Sequence, residues 1–316
     1  MDILTLLLIV AGLSLFEIVS SIDNAVINAD VLKTMSQRSR KWFLTWGLFF
    51  AVFVVRGLLP FLIVFALDPS LGAVGALTAM FSGDPKVATA IELAAPPLFA
   101  AGGVFLLFLF VHWLFTEPKH YGLPGERYIH KHGVWFYVTI SVLLTLIIWF
   151  AITTSPMVAF GAAIGSTLFF ITTGFKDNAE KKEQELVKKG GMSDISKLLY
   201  LEIIDLSFSI DGVLGAFAFT LAVPLILIGN GIGAVVLRQI TVSNIERIKK
   251  YKYLKNGAMY SVMVLGAIMI LESFHVPIYV WLSPVVTIII LSYFFLRSHR
   301  ELKKEERAQS ASPYKK

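Results

Sequence analysis

What most constrains this chain is that its charges and its apolar residues are sorted along the sequence. From Ile3 to Leu296 one long apolar stretch follows another, and the lysines and arginines are gathered between them. An α-helix needs about 20 predominantly apolar residues to cross the hydrocarbon core of a bilayer. Nine stretches are long enough: 3–32, 42–67, 88–115, 134–153, 156–175, 197–220, 222–240, 256–273 and 277–297. Hydrocarbon offers no hydrogen-bond partner to the backbone, so each crossing must be helical. The expected fold is an all-α polytopic transmembrane helix bundle. Composition agrees, with 56% hydrophobic residues, 16% charged residues and a mean hydropathy of +0.72. Soluble domains carry about 25% charged residues. Segment 70–84 is too short to cross and is expected to be re-entrant or interfacial.

The basic residues orient the bundle. Lys and Arg favour the cytoplasmic side of a membrane. All but Arg56 and Lys86 of the 28 fall in or beside the connections after the first, third, fifth, seventh and ninth stretches. That places the N-terminus outside and the C-terminus in the cytoplasm, and it turns the net charge of +6 into an orientation signal rather than a nucleic-acid surface. The organisation expected is a transmembrane domain over 1–297, with a solvated cytoplasmic loop at 176–197 and a cytoplasmic tail, a frayed helix end and then disorder, at 298–316. Met1-Asp2-Ile3 has no positive leader region and no small-residue cleavage site follows, so no cleaved signal peptide is expected. There is no cysteine, which excludes disulfides, thiolate metal sites and thiol nucleophiles.

The informative residues are carboxylates inside the apolar stretches. The first stretch holds Glu17 and Asp23, with Asp30 near its inner end, and the sixth holds Glu202, Asp205 and Asp211. An ionised group at the bilayer centre costs about 2.5–3.5 kcal/mol, so the five deepest would cost on the order of 12–17 kcal/mol. A domain is stable by only about 5–15 kcal/mol. These groups must therefore be paired, protonated, hydrated or metal-bound. Isolated acids such as Glu92 and Glu272 are read as ordinary helix-packing groups, and Arg56 as a counter-charge.

The two clusters repeat one pattern. Glu17-Ile-Val-Ser-Ser21-Ile-Asp23 and Asp205-Leu-Ser-Phe-Ser209-Ile-Asp211 are both acid-x-x-x-Ser-Ile-Asp. They lie on stretches that cross in opposite directions. A repeat with inverted topology, here with halves at roughly 3–115 and 197–297, is a signature of secondary transporters whose sites lie near the midplane. On a regular helix the first acid and the Ser share a face, whereas the second acid is turned away by about 120°. Convergence on one ion therefore needs a kink or unwound turn near Ser21–Asn24 and Ser209–Gly212. Glu202 adds an acid to the second copy, and Asn28 continues the face of Asn24. Carboxylates, hydroxyls and carbonyls are hard ligands that suit manganese, calcium or magnesium. His120, His130 and His132 share one predicted cytoplasmic loop and are read as a polar cluster rather than a metal site. Gly229-Asn230-Gly231 offers a bend in the seventh stretch, and Gly102-Gly103 a close helix contact.

Phe16-Glu17 with Asp23-Asn24-Ala25-Val26, and the run from Leu201 through Glu202, Asp205 and Ser209 to Asp211, resemble the two motifs of the TerC (tellurium-resistance) membrane family. The chain resembles a divergent branch, with more spans than typical members and Gly212 where many have Ser. The resemblance implies metal-ion efflux, chiefly of manganese, or supply of metal to exported proteins. It implies ion handling by Glu17, Asp23, Asn24, Glu202, Asp205 and Asp211. With the motif serines, the candidate metal set is Glu17, Ser21, Asp23, Asn24, Glu202, Asp205, Ser209 and Asp211.

The leading expectation is a divalent-cation transporter of the bacterial inner membrane, with the ion as cargo and no prosthetic group. The alternatives are a metallation factor or scaffold serving exported proteins, or a transporter of an organic solute. A homo-oligomer or a secretion-machinery partner is left open. An enzyme is not expected: Gly-x-Gly-Asp and Glu-Glu-x-x-x-Arg protease signatures are both missing. The charge pattern gives a topology test. Cysteines introduced at Thr154 and His275 should react with an impermeant reagent in intact cells, and cysteines at Lys182, Lys250 and Lys304 should not. Labelling at position 182 would overturn the orientation.

Overall fold

A computed structural model describes residues 2–47, 49–50, 57–58, 61–62, 65, 72–82, 85–189 and 193–311. Side chains at 23–24, 26–27, 30, 33, 79–80, 82, 85–94, 176–189, 200, 203–211, 240–249, 306 and 308–311 lie outside the described residues. The described chain is helical, without strands. It opens with α1 (Ile3–Ser20), α2 (Ile22–Lys33) and α3 (Gln37–Trp42), which passes directly into a π-helical turn at Phe43–Gly47. Next come α4 (Gly72–Ser82), α5 (Pro85–Thr116), α6 (Glu126–Lys131) and α7 (Trp135–Thr154). The chain continues through α8 (Pro156–Lys189), α9 (Asp194–Phe217), α10 (Val223–Lys249), α11 (Leu254–Ser273) and α12 (Leu282–Ala311).

Six described helices are long and apolar enough to cross a membrane: Ile3–Ser20, Ala95–Thr116, Trp135–Thr154, Pro156–Phe175, Leu254–Ser273 and Leu282–Glu305. This is a multi-pass membrane protein. Half of the expected second crossing, 42–67, lies outside the described residues, Arg56 included. The expected sixth and seventh form α9 and α10, of which Val223–Gln239 is a shorter apolar helix. The outer face fits lipid. Trp135, Val142, Leu146 and Trp149 of α7 are all exposed, an apolar surface that a water-soluble protein rarely carries. Trp135 and Trp149 sit about 21 Å apart along the helix, a spacing that suits two interfacial belts.

Two expectations need correcting. The charged run 176–197 is not all loop, because α8 continues to Lys189. Its Glu, Lys, Gln and Ala are strong helix formers, which carry the helix past the apolar part. Gly229-Asn230-Gly231 does not break α10, which is unbroken from Val223 to Lys249. The tail also extends α12 as far as Ala311.

Small residues set the packing. Helices in lipid associate through close backbone approach rather than hydrophobic burial, so glycine contacts fix partners and directions. On α8, Gly161 sits against the Pro97 carbonyl and Gly165 against the Ala101 carbonyl, so α8 runs parallel to α5. Gly103 on α5 and Gly266 on α11 pack reciprocally. A Cβ added at either would lie 3.0–3.1 Å from the other's carbonyl oxygen. Further along, Trp113 meets Tyr260 and Glu117 meets Lys255, so α11 runs antiparallel to α5. Leu13 lies on Gly229 and Glu17 on Gly233, which makes α10 parallel to α1. Phe16 covers Gly215, and Gly12 faces Phe219, so α9 crosses α1 antiparallel. The short α4 packs Ala76 against Val223 at the start of α10.

The α5–α8 contact is backbone on backbone and leaves no side chain to yield. Gly165→Val should lower the melting temperature of the detergent-purified protein, with a cost of about 1–3 kcal/mol or more from overpacking. A melting temperature equal to wild type would show that the two helices can separate freely.

Candidate functional site

The first motif is built around a break. α1 stops at Ser20, Ser21 adopts φ −95° and ψ 9°, and α2 starts at Ile22. The backbone ladder survives on both sides, with Ser21 N–H donating to the Glu17 carbonyl at 3.2 Å and Ala25 N–H donating to the Ser21 carbonyl at 2.9 Å. The break is thus a kink rather than an unwound turn. At the break the Ser21 hydroxyl donates to Glu17 Oε1 at 3.1 Å, which ties the irregular residue to the carboxylate one turn earlier. Glu17 is 1% exposed, a carboxylate enclosed by apolar helices.

A glycine face on α10 closes one side. Gly229 and Gly233 are one turn apart, and a Cβ at 233 would lie 2.7 Å from both Glu17 Cβ and the Ser14 carbonyl oxygen. Ser14 donates its hydroxyl to the carbonyls of Val10 at 2.8 Å and Gly229 at 2.9 Å. Leu237, two turns after Asn230, packs with Ala25, Ala29 and Ile22 of α2. Ile226, one turn before Asn230, belongs to the same core as Leu13 and Phe16. α10 therefore spans the kink.

The second motif lies on α9, which is unbroken from Asp194 to Phe217, so the irregularity expected at Ser209–Gly212 does not occur. Its start is fixed. Ser193 caps the helix, Asp194 accepts from Ser36 N–H at 3.1 Å and Ser39 Oγ at 2.9 Å, and Lys197 reaches the Thr34 carbonyl at 2.9 Å. The bonds from Ser36 and Ser39 hold the Asp194 carboxyl below its ordinary pKa. Where α9 passes α1, Gly215 receives the Phe16 ring, and Asp211 stands one turn before Gly215. The side chains of Asp23, Asn24, Asp205, Ser209 and Asp211 lie outside the described residues.

Glu202 sits elsewhere. It precedes Gly215 by about 20 Å along α9 at a helical rise of 1.5 Å per residue. Its carboxylate lies against Gly47 of the π-helical turn, whose missing side chain makes room for it. Neighbouring Leu201 packs with Val31, Leu32, Met35 and Phe43. Arg238 donates to the Phe43 carbonyl and lies 4.2 Å from the centre of the Phe43 ring. The structure thus brings Glu17, Ser21 and the α9 backbone at Asp211 into one region, and sets Glu202 in a second, beside the π-helical turn.

The histidine loop forms a polar clamp. Glu126 accepts from Gly122 N–H at 2.8 Å, Leu123 N–H at 2.9 Å, Asn256 Nδ2 at 3.2 Å and Tyr260 Oη at 2.8 Å. His130 pairs with Tyr121 Oη at 3.0 Å, and His132 with the Tyr128 carbonyl at 2.8 Å. The His120 carbonyl receives Asn256. Glu117 lies between Lys255 at 2.6 Å and His112 at 3.5 Å. Burial alone would raise its pKa, but the His112 bond and the Lys255 charge outweigh that and bring it down to about 2. Burial pulls Lys119 down to about 8. Among the described residues no three His, Cys, Asp or Glu side chains could hold a metal ion together.

Reading the sequence missed Ser14, Gly233, the π-helical turn and the burial of Asn230. The signal for Gly233 was there, since Gly229-x-x-x-Gly233 is the small-residue spacing of a tight membrane helix pair.

A kinked first helix, a buried carboxylate and glycine-tight partners define a multi-pass membrane protein with a polar interior. The chain belongs to the family described as protein of unknown function DUF475, which matches residues 22–305. No curated protein and no solved structure matches it.

The close fit at Gly233 gives a test. Gly233→Val should push α1 off α10 and destabilise the protein by about 1–3 kcal/mol, read as a lower melting temperature in detergent. No change would mean that Glu17 is not held against α10.

Proposed function

We propose that the protein is a membrane transporter of divalent cations, manganese preferred, which pass through an acidic site at the kink of the first span. The observation that carries this reading is Glu17, a carboxylate enclosed in a bundle built to exclude water, beside a helix break. Buried ionisable groups inside a membrane mark substrate and ion pathways by default. Residues 17, 21 and 23 of one motif and 211 of the other supply carboxylate and hydroxyl oxygens, the ligand set of a hard divalent ion. The TerC resemblance of both motifs supports manganese as cargo and efflux as direction.

The same reading includes nine spans, an external N-terminus, a cytoplasmic C-terminus and two inverted halves. Supporting the inversion are the antiparallel crossing of α1 and α9, which carry the two motifs, and the reciprocal Gly103–Gly266 contact. Glu202, at the other region, serves as an acidic station nearer the cytoplasmic end of the path.

In liposomes holding only the purified protein, the wild type should carry manganese, and Asp23→Asn or Asp211→Asn should abolish flux while membrane level is kept. The metal-free melting temperature should hold or rise, because a neutral amide removes a charge from an apolar surrounding. A purely structural ion pair would behave in the opposite way, losing about 3–5 kcal/mol when one partner goes. Intact flux with a lower melting temperature would sink the proposal. Binding without flux in the wild type would point to a metal-handling scaffold instead.

A further inference from the structure

Asn230 of α10 is 0% exposed, and neither its Oδ1 nor its Nδ2 has a hydrogen-bond partner. An amide deprived of partners in a protein interior bears the full cost of its desolvation. The rest of the helix gives no packing reason for a polar residue here. One turn earlier on the same face stands Ile226, which is in the core with Leu13 and Phe16. Two turns later stands Leu237, which packs on Ala25 and Ala29 of α2. A leucine, which branches at Cγ as asparagine does, would continue that apolar stripe.

The position of Asn230 is set by its glycine neighbours. Gly229, the residue before it, meets Leu13 and receives the Ser14 hydroxyl. Gly233, three residues on, meets Glu17. Residues three apart on a helix lie on one side. Asn230 is therefore held between the α1 contact above it and the α2 contact below it, the interval that contains Glu17 and the Ser21 kink. Its unpartnered amide thus belongs to the turn of α10 whose Gly233 lies against Glu17.

We infer that Asn230 is a ligand-bearing residue of the Glu17 site, and that its amide oxygen binds the divalent cation directly or through one of the cation's waters. This rests on the transport reading above and extends it. The site would then have a wall on α10, outside both sequence motifs, with a neutral oxygen beside the acids. An amide oxygen is a normal hard ligand for such ions. It adds no charge, so the empty site avoids a further buried carboxylate. The amide left without partners in the metal-free protein is satisfied when the ion arrives.

The test is calorimetric titration of the full-length detergent-purified protein with manganese chloride, with metal-free melting on the same preparations. Asn230→Leu should raise the dissociation constant by about 10- to 100-fold, the range seen when a group supporting a bound metal is removed. It should leave the metal-free melting temperature equal or higher. Glu17→Gln serves as the control. If Glu17→Gln loses binding while Asn230→Leu binds as wild type, the role of Asn230 is overturned and the site at Glu17 stands. If both bind as wild type, the site itself is misplaced. Should Asn230→Leu melt lower or fail to fold, Asn230→Asp decides. It keeps the oxygen and adds a charge, so a lower dissociation constant supports the inference and an unchanged or higher one overturns it.

Discussion

The contact between α1 and α10 governs the rest of the interior. Gly229 and Gly233 let the two backbones approach until Glu17 Cβ and the Ser14 carbonyl fill the space that a side chain at 233 would need. In a bilayer no hydrophobic force draws one apolar helix to another, so fit of this kind is what holds them. Its consequence is electrostatic. With α1 fixed on that face, the Glu17 carboxylate is buried, and the Ser21 hydroxyl one turn later donates to it at 3.1 Å. Beyond the break at Ser21, Ala25 and Ala29 of α2 pack with Leu237 of the same α10. Packing, kink and buried charge form a single arrangement.

α5 plays the corresponding part for the remaining spans. Pro97 and Ala101 present carbonyls to the glycines of α8, while Gly102 and Gly103 admit Met269 and Ile270 of α11. Aromatic side chains fill the wider gaps, with Phe169 edge-on to Phe108 at 5.5 Å and Tyr260 stacked with Phe294 at 5.5 Å. At the end of the α5–α11 pair the apolar contacts give way to the ion pair of Glu117 with Lys255 and to the fully used acceptors of Glu126. The polar clamp stabilises the loop and closes that end of the bundle. Its histidines serve that loop through Tyr121 and the Tyr128 carbonyl.

The helical class and most spans were legible because bilayer thickness acts on every residue of a crossing segment, and the apolar runs at 95–116, 135–154, 156–175 and 254–273 carry that signal undiluted. The kink at Ser21 was legible from the adjacent serines and the spacing of the acids. Helix partners were not, because a glycine announces that something comes close without naming it: Gly233 reads the same whether it faces α1 or lipid. The extension of α8 to Lys189 was hidden for another reason. Charged helix formers look alike in a solvated loop and in a solvated helix. In the sequence Asn230 reads as a bend, because asparagine between glycines is common turn chemistry. Only its burial separates that role from a binding one.

The two copies of the motif show how one pattern can be built in two ways. In the first copy Ser20 and Ser21 are adjacent and the helix breaks there. In the second, Phe208 separates Ser207 from Ser209, and α9 passes through unbroken. The unbroken copy is capped by Ser193 and tied at its start by Asp194 and Lys197 to the residues that follow α2. Pinned at one end and regular throughout, α9 is the stiffer of the two. α1 and α2 meet at a residue in the sparsely populated bridge region between helical and extended backbone, where small changes in dihedral swing a whole helix arm. Any movement that alters the space around Glu17 is therefore easiest at Ser21. The α10 stripe from Ile226 to Leu237 touches both arms, so such a movement must be taken up along α10 at Asn230 and Gly233, where one residue has no hydrogen bond to lose and the other has no side chain.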